Sequence, residues 1–282
     1  MKINLKYILL VGICLSALAK TYAQTNPQDK VMQAIKDSLR VLELKKIDNL
    51  GGLSKDNLIL MGMHSSMLGS SDKLFQWCFS EPGKLDSIAH YPDYSQIVSN
   101  LIINHEEIEP AVSYCKRSGG EPHWRHIQHS ITKKYDKDRA LTLVLNARLK
   151  WYKYKKDGRR YAKYLIPQIE LMIAQHTMPN DWRGAAALND NAWDVFRFGT
   201  NRRQFRKALT WVEKAIKIDP QPSKLDTKAN LLYRLGRKAE ALKFEEQALM
   251  LSAKENNGIQ DSGIQDSYHK MLRNEVTWPD RM

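Results

Sequence analysis

Two stretches of the sequence repeat one pattern of small and apolar residues at a constant distance of 33 positions. Ala208 and Val212 in residues 204–218 recur as Ala241 and Glu245 in residues 237–251. A period near 34 residues is typical of stacked helical hairpins, and alanine at the repeated positions allows two helices to cross at close range. The pattern therefore predicts an all-α fold of antiparallel helical hairpins.

The amino-terminal half predicts helices without a visible repeat. Residues 28–47 form an amphipathic pattern with Val31, Ile35, Leu39 and Leu42 on one stripe. Further helical stretches cover residues 54–67, 70–79, 93–103 and 106–117. The Pro82-Gly83 pair is expected to interrupt the helices. No alternation of apolar and polar residues is long enough to indicate a sheet.

The carboxy-terminal half predicts hairpins of tetratricopeptide size. A helix up to residue 135 is followed by three helix pairs, over residues 138–156 and 160–176, 181–198 and 202–218, and 223–235 and 237–252. Ser223 and Asp226 have the spacing of a capping box. The duplicated units 258–262 and 263–267 indicate a polar linker, and a helix over 265–274 is expected to cap the stack. We thus expect an amino-terminal helical region over 24–135, hairpins over 136–255 and a linker with a capping helix over 256–282.

The first 23 residues have the pattern of a secretory leader. Lys2 and Lys6 precede an apolar run, and Thr21 and Ala23 are small residues at the two recognition positions before a cleavage site. The run is about a dozen residues, whereas a membrane-spanning helix needs roughly 20. Cys14 follows Ile13, which disfavours lipid attachment. The sequence predicts an exported protein, periplasmic or secreted, without a stable membrane anchor after cleavage.

The whole chain has 44 basic and 31 acidic side chains, and a basic run lies in its middle. Residues 150–156 and 159–164 interleave lysine and arginine with tryptophan and tyrosine, a composition that can grip single-stranded nucleic acid. Export argues against nucleic acid as the partner. The aromatic rings are better interpreted as hairpin core with lysine stems lying over them, and an acidic protein, lipid head groups or an anionic polysaccharide are the alternative targets.

The sequence offers no clear metal or redox site, and no cofactor is predicted. His123, His126 and His129 are three residues apart, so they fan around a helix rather than converge, and they are interpreted as surface histidines. Cys78 and Cys115 lack a Cys-x-x-Cys spacing. A structural disulfide and two buried free thiols remain alternatives.

Several carboxy-terminal segments resemble a known group of proteins. Residues 191–196, 208–220, 226–236 and 245–249, with Tyr268–Leu272 and Thr277-Trp278, resemble the carboxy-terminal helical region of secreted thioredoxin-like proteins. The resemblance implies a thioredoxin domain with a Trp-Cys-x-x-Cys site ahead of the helices. Here Trp77-Cys78 is followed by Phe79-Ser80-Glu81, so only the helical module is expected, without the redox activity.

The similarity to tetratricopeptide modules also implies a groove lined by the first helix of each hairpin. Counting from the crossing alanines places six residues in that groove: Asp190, Trp193, Arg197, Asp226, Asn230 and Tyr233. Asn230 matches the asparagine that holds peptide backbones in many such modules. Asp226 stands where modules that bind terminal carboxylates have a lysine, which disfavours that ligand. Trp193 is interpreted as a core residue.

The sequence favours a non-enzymatic scaffold or protein-binding module whose partner is a protein or peptide in the cell envelope. No phosphate loop, nucleophile elbow or carboxylate pair indicates a catalyst. The alternative function is an accessory protein of an envelope thiol-redox or stress pathway without its own catalytic cysteines.

The cleavage site can be tested directly. We expect protein purified from its native host to begin at about Gln24, as measured by intact mass. A mass that includes residues 1–23, or one that carries a diacylglycerol on Cys14, would contradict the predicted leader.

Overall fold

The computed structural model describes residues 27–278, and every regular element in this range is helical. The all-α class predicted from the sequence is confirmed. The leader predicted for residues 1–23 lies outside the described residues. Within residues 27–278, no helix combines the length and the apolar character needed to cross a membrane. The described residues divide into two compact units, 27–144 and 145–278.

The first unit consists of short helices, with the beginning of α8 at its end. They are α1 (Pro27–Leu44), α2 (Lys55–Met63), α3 (Lys73–Ser80), α4 (Pro82–Ala89), α5 (Tyr94–Ile103), α6 (Glu109–Ser118), α7 (Trp124–Lys134) and α8 (Lys137–Tyr154). A π-helical turn, Asn104–Ile108, joins α5 to α6. Helix α5 packs against α3 and α4, and Val98, Ile102 and Ile103 on it are buried. The Tyr94 hydroxyl donates a 2.5 Å hydrogen bond to the Leu58 carbonyl and so ties α5 to α2.

The apolar stripe predicted for α1 is not its buried face. The side chains of Val31 and Leu39 are 60% and 58% exposed, and Ile35 and Leu42 are also exposed, whereas Val41 is fully buried. Helix α1 packs against α2, and its buried residues, Val41 and Leu44, lie near its carboxy-terminal end. Burial therefore follows this local contact and not the amphipathic pattern.

The second unit contains the hairpins. Its helices are the end of α8, then α9 (Gly158–Ala174), α10 (Trp182–Phe198), α11 (Arg202–Ile218), α12 (Pro222–Arg234), α13 (Lys238–Glu255) and α14 (Ser262–Leu272). Consecutive helices from α9 to α14 pack against each other, and α10 also contacts α12. Because contact between the first helices of successive hairpins is what stacking produces, the unit has the architecture of a helical repeat.

The repeated alanines lie where the helices cross. Ala208 and Ala215 in α11 and Ala241 and Ala248 in α13 have no exposed surface. The turn between α12 and α13 contains Gly236 at φ 80°, a backbone conformation that favours glycine. The 33-residue pattern thus corresponds to equivalent buried positions in two helices.

The Pro82-Gly83 pair follows the end of α3 at Ser80, as expected, and Pro82 is also the first residue of α4, where its missing N–H is not needed. Two other local predictions were wrong. Pro222 starts α12 in the same way, so Ser223 does not cap it and the capping box is absent. The second duplicated unit lies in α14, because the Asp261 side chain of the first unit accepts hydrogen bonds from the amides of Gly263 and Ile264.

The close crossing at Ala241 can be tested by overpacking. We expect Ala241→Leu to destabilise the protein by about 1 to 3 kcal/mol, because the added atoms must separate two helices. Ala239→Leu is the matched control, since Ala239 is exposed on the same helix. Thermal unfolding followed by circular dichroism measures both variants. An equal loss of stability in the two would show that the crossing is misassigned.

Candidate functional site

The three predicted groove residues on α10 differ in their surroundings. Asp190 is exposed, and Trp193 is partly buried with its ring 4.8 Å from that of Phe196. Trp193 packs against the core of the second unit, in agreement with its interpretation as a core residue. Arg197 lies beside a cavity at the start of α9.

Two of the three predicted groove residues on α12 are directed into the hairpin. Asn230 is completely buried, and its amide nitrogen donates to the Asp226 backbone carbonyl at 3.0 Å and to the Asp226 carboxylate at 2.8 Å. The carboxylate of Asp226 also neighbours that of Glu245 in α13, whose two oxygens form no hydrogen bond within residues 27–278. While these contacts hold, Asn230 cannot reach a peptide backbone. Its proposed role as a peptide clamp stays a prediction.

Glu245 is the residue that the sequence reasoning missed. Its side chain has no exposed surface. Burial, followed by the neighbouring Asp226 carboxylate, raises the pKa of Glu245, and burial likewise raises the pKa of Asp226. Like charges this close cannot both ionise in a buried site, so the pair retains a proton at neutral pH. The sequence signal for this site was the 33-residue pattern. Asp226 and Glu245, which we call the acid pair, stand where the preceding hairpin has the apolar residues Trp193 and Val212.

Tyr233, the remaining predicted groove residue on α12, contacts the chain's own carboxy-terminal segment. Helix α14 ends at Leu272, and Asn274, two residues later, has a left-handed backbone. The Glu275 amide donates a 2.8 Å hydrogen bond to the Lys270 carbonyl. This arrangement is a Schellman-type helix end, which turns the following residues back toward the helices. The Tyr233 hydroxyl then donates a 3.0 Å hydrogen bond to the Glu275 carbonyl.

Trp278 lies against the same face of α12. Its ring is 6.5 Å from that of Tyr233, and the guanidinium of Arg234 lies 4.8 Å from its centroid. Arg234 is held in place because it donates to the backbone carbonyls of Phe196 and Gly199 at the end of α10. Trp278 also packs against the core of the second unit. We call Tyr233, Arg234 and Lys238, which contact residues 272–278, the tail site.

The tail site recognises mainly the backbone and one aromatic ring. Tyr233 donates to a carbonyl, and the Lys238 ammonium donates to the Leu272 carbonyl and to the Asn274 side chain. Carbonyl contacts are independent of sequence, whereas a cation stacked on an indole ring selects an aromatic residue. The site is therefore suited to an extended segment with one aromatic side chain.

The cysteines are two free buried thiols, which decides between the two alternatives left open by the sequence. Burial raises the pKa of the Cys78 thiol to about 12. A thiol of this kind is not a nucleophile at neutral pH. Cys78 therefore gives no support to a redox function of the chain itself.

The histidines and the basic run have simple structural roles. His123, His126 and His129 are all exposed, and no group of three potential metal-binding side chains occurs between residues 27 and 278. In the basic run, Trp151 and Tyr152 are buried, which agrees with their interpretation as hairpin core, whereas Tyr154 is 56% exposed.

Comparisons of the chain with protein-family models, with curated proteins and with solved structures gave no match. The resemblance to the helical region of secreted thioredoxin-like proteins therefore stays an expectation from the sequence.

The acid pair predicts a specific pH dependence. Its raised pKa values mean that this pair binds protons more tightly in the folded state than in the unfolded chain. The contribution of the pair to stability is therefore greatest below the unfolded pKa near 4 and falls as pH rises. We expect Glu245→Gln to flatten this dependence between pH 5 and pH 8 and to raise the unfolding midpoint at pH 8. The amide cannot ionise, and it can donate to Asp226.

Glu255→Gln serves as the control, because Glu255 is an exposed residue at the end of the same helix. Thermal melts of the three proteins from pH 5 to pH 8 provide the measurement. Parallel pH curves for the wild-type protein and Glu245→Gln would exclude a proton held by this pair.

Proposed function

We propose that this protein is a non-enzymatic helical-repeat binding module that holds an extended, aromatic-bearing segment of a partner polypeptide at the tail site. The observation that carries the proposal is the seating of residues 275–278 on α12, through the Glu275 carbonyl and the Trp278 ring. A surface that binds such a segment within the chain has the donors and the cation needed to bind one from another protein.

The attachment of the tail would regulate this binding. A segment joined by a short connection has an effective concentration in the millimolar range at its own site. A partner segment must therefore compete with residues 275–278, and only one that makes additional contacts can displace them. We propose further that the partner is a protein of the cell envelope, as the leader pattern in residues 1–23 indicates.

A labelled peptide of residues 275–282 tests the tail site. We expect it to bind a chain truncated after Asn274 saturably, and to bind the full-length chain at least about tenfold more weakly, because the attached tail competes. A peptide with Trp278→Ala should lose most of its affinity, since it lacks the ring that stacks on Arg234. Fluorescence anisotropy measures each affinity.

Tyr233→Phe in the truncated chain should weaken peptide binding, because it removes the hydroxyl that donates to Glu275. Tyr268→Phe is the matched control, since the Tyr268 hydroxyl bonds to Glu246 and not to the tail. Equal peptide affinity for the full-length and truncated chains, or no binding to either, would reject the tail site as a peptide-binding surface.

A further inference from the structure

A second site lies in the carboxy-terminal unit, and its lining residues are not those of the acid pair or the tail site. A cavity of about 170 Å³ opens between the end of α8, the start of α9 and the end of α10. Its polar floor is the carboxylate of Asp194, and its walls include the rings of Tyr152, Tyr161 and Phe198. The combination of a half-buried charge with aromatic walls is typical of small-molecule sites.

The Asp194 carboxylate is held in a fixed position and is only partly used. Its Oδ2 atom accepts a 2.9 Å hydrogen bond from the Tyr161 hydroxyl, which joins α10 to α9. Within residues 27–278, its Oδ1 atom accepts no hydrogen bond from the protein. Burial raises the pKa of Asp194, while the positive charges of Arg197 and Lys153 act in the opposite direction. One oxygen of a positioned carboxylate thus remains available to a donor.

Three basic side chains line the cavity, and Asp194 is the acidic residue in its lining. Lys153, Lys156 and Arg197 line the cavity, and none of them forms an ion pair within the described part of the chain. Lys207 and Lys224, elsewhere in the same unit, pair with Glu170 and Asp219. The cavity therefore carries an excess of positive charge next to one carboxylate, an arrangement that suits a ligand with both charges.

Gly158 allows the Phe198 ring to lie close to the start of α9. A Cβ atom on Gly158 would lie 2.6 Å from the Phe198 ring, so a larger residue would push the ring away. The rings of Tyr161 and Phe198 meet edge to face, with centroids 6.1 Å apart. The guanidinium of Arg197 lies 4.7 Å from the centroid of the Phe198 ring, so the aromatic wall holds this cation at the cavity.

We infer that this cavity binds a small zwitterionic α-amino acid, with its ammonium group on Asp194 and its carboxylate group on Lys153 and Arg197. The volume supports a ligand of this size, since 170 Å³ equals that of about six water molecules in the liquid. A simple anion would leave the Asp194 oxygen unused and would be repelled by it. A simple cation would be repelled by the three basic side chains.

Calorimetric titration of the full-length protein with L-alanine tests this assignment. Acetate and methylammonium, which carry one charge each, serve as half-ligands. We expect saturable binding of L-alanine at least about tenfold tighter than that of either half-ligand. Asp194→Asn, which can still accept from Tyr161, should weaken L-alanine binding at least about tenfold, because a charge-assisted hydrogen bond is lost.

Arg197→Gln should weaken the binding of L-alanine to a similar degree. Arg203→Gln is the control, because Arg203 is exposed on α11 and does not line the cavity. If Asp194→Asn fails to fold, as judged by circular dichroism, Arg197→Gln still decides the question. Truncation after Asn274 should leave L-alanine affinity unchanged, so this test is independent of the tail site.

Three outcomes would overturn the inference. Acetate that binds as tightly as L-alanine would indicate an anion site, and methylammonium that does so would indicate a cation site. The absence of saturable binding up to about 10 mM L-alanine would mean that the cavity is not an amino-acid site.

Discussion

The close approach of α12 and α13 determines the electrostatics of the carboxy-terminal unit. Alanine at positions 229, 241 and 248 lets the two helices approach each other closely, and all three residues are completely buried. Water is excluded from such an interface, so Glu245 has no solvent to stabilise its charge. The same packing that makes the hairpin stable therefore forces its acid pair to hold a proton.

The acid pair is an internal exception to the repeat. In the hairpin of α10 and α11 the equivalent positions are Trp193 and Val212, which need no proton. Two carboxyl groups in place of an apolar pair reduce the stability of the last hairpin, and more so as pH rises. This hairpin also contacts α14, whose end directs the tail to Tyr233.

The two proposed sites are suited to different kinds of ligand. The tail site has donors and a stacked cation on an open helix face, and these suit a polypeptide backbone with one aromatic ring. The cavity at Asp194 has a positioned carboxylate, basic side chains and aromatic walls, and these suit a small molecule with two charges. Both depend on the end of α10, where Arg234 binds the Phe196 and Gly199 carbonyls and Phe198 closes over Gly158.

The sequence alone determined the helical class, the 33-residue repeat and the buried role of the crossing alanines, because periodicity and residue size act locally along a helix. It also indicated the buried rings of Trp151 and Tyr152. The sequence did not predict that Val31 and Leu39 are exposed. An amphipathic pattern shows which residues share a helix face but not which neighbouring element packs against that face.

Only the tertiary structure decided which polar residues meet. Asp226 and Glu245 are 19 positions apart, and Tyr161 and Asp194 come from different helices. The contact between Tyr233 and Glu275 forms only because Asn274 reverses the chain. Spacing along a helix fixes the direction of a side chain but not the element opposite it, so these contacts depend on how the helices pack.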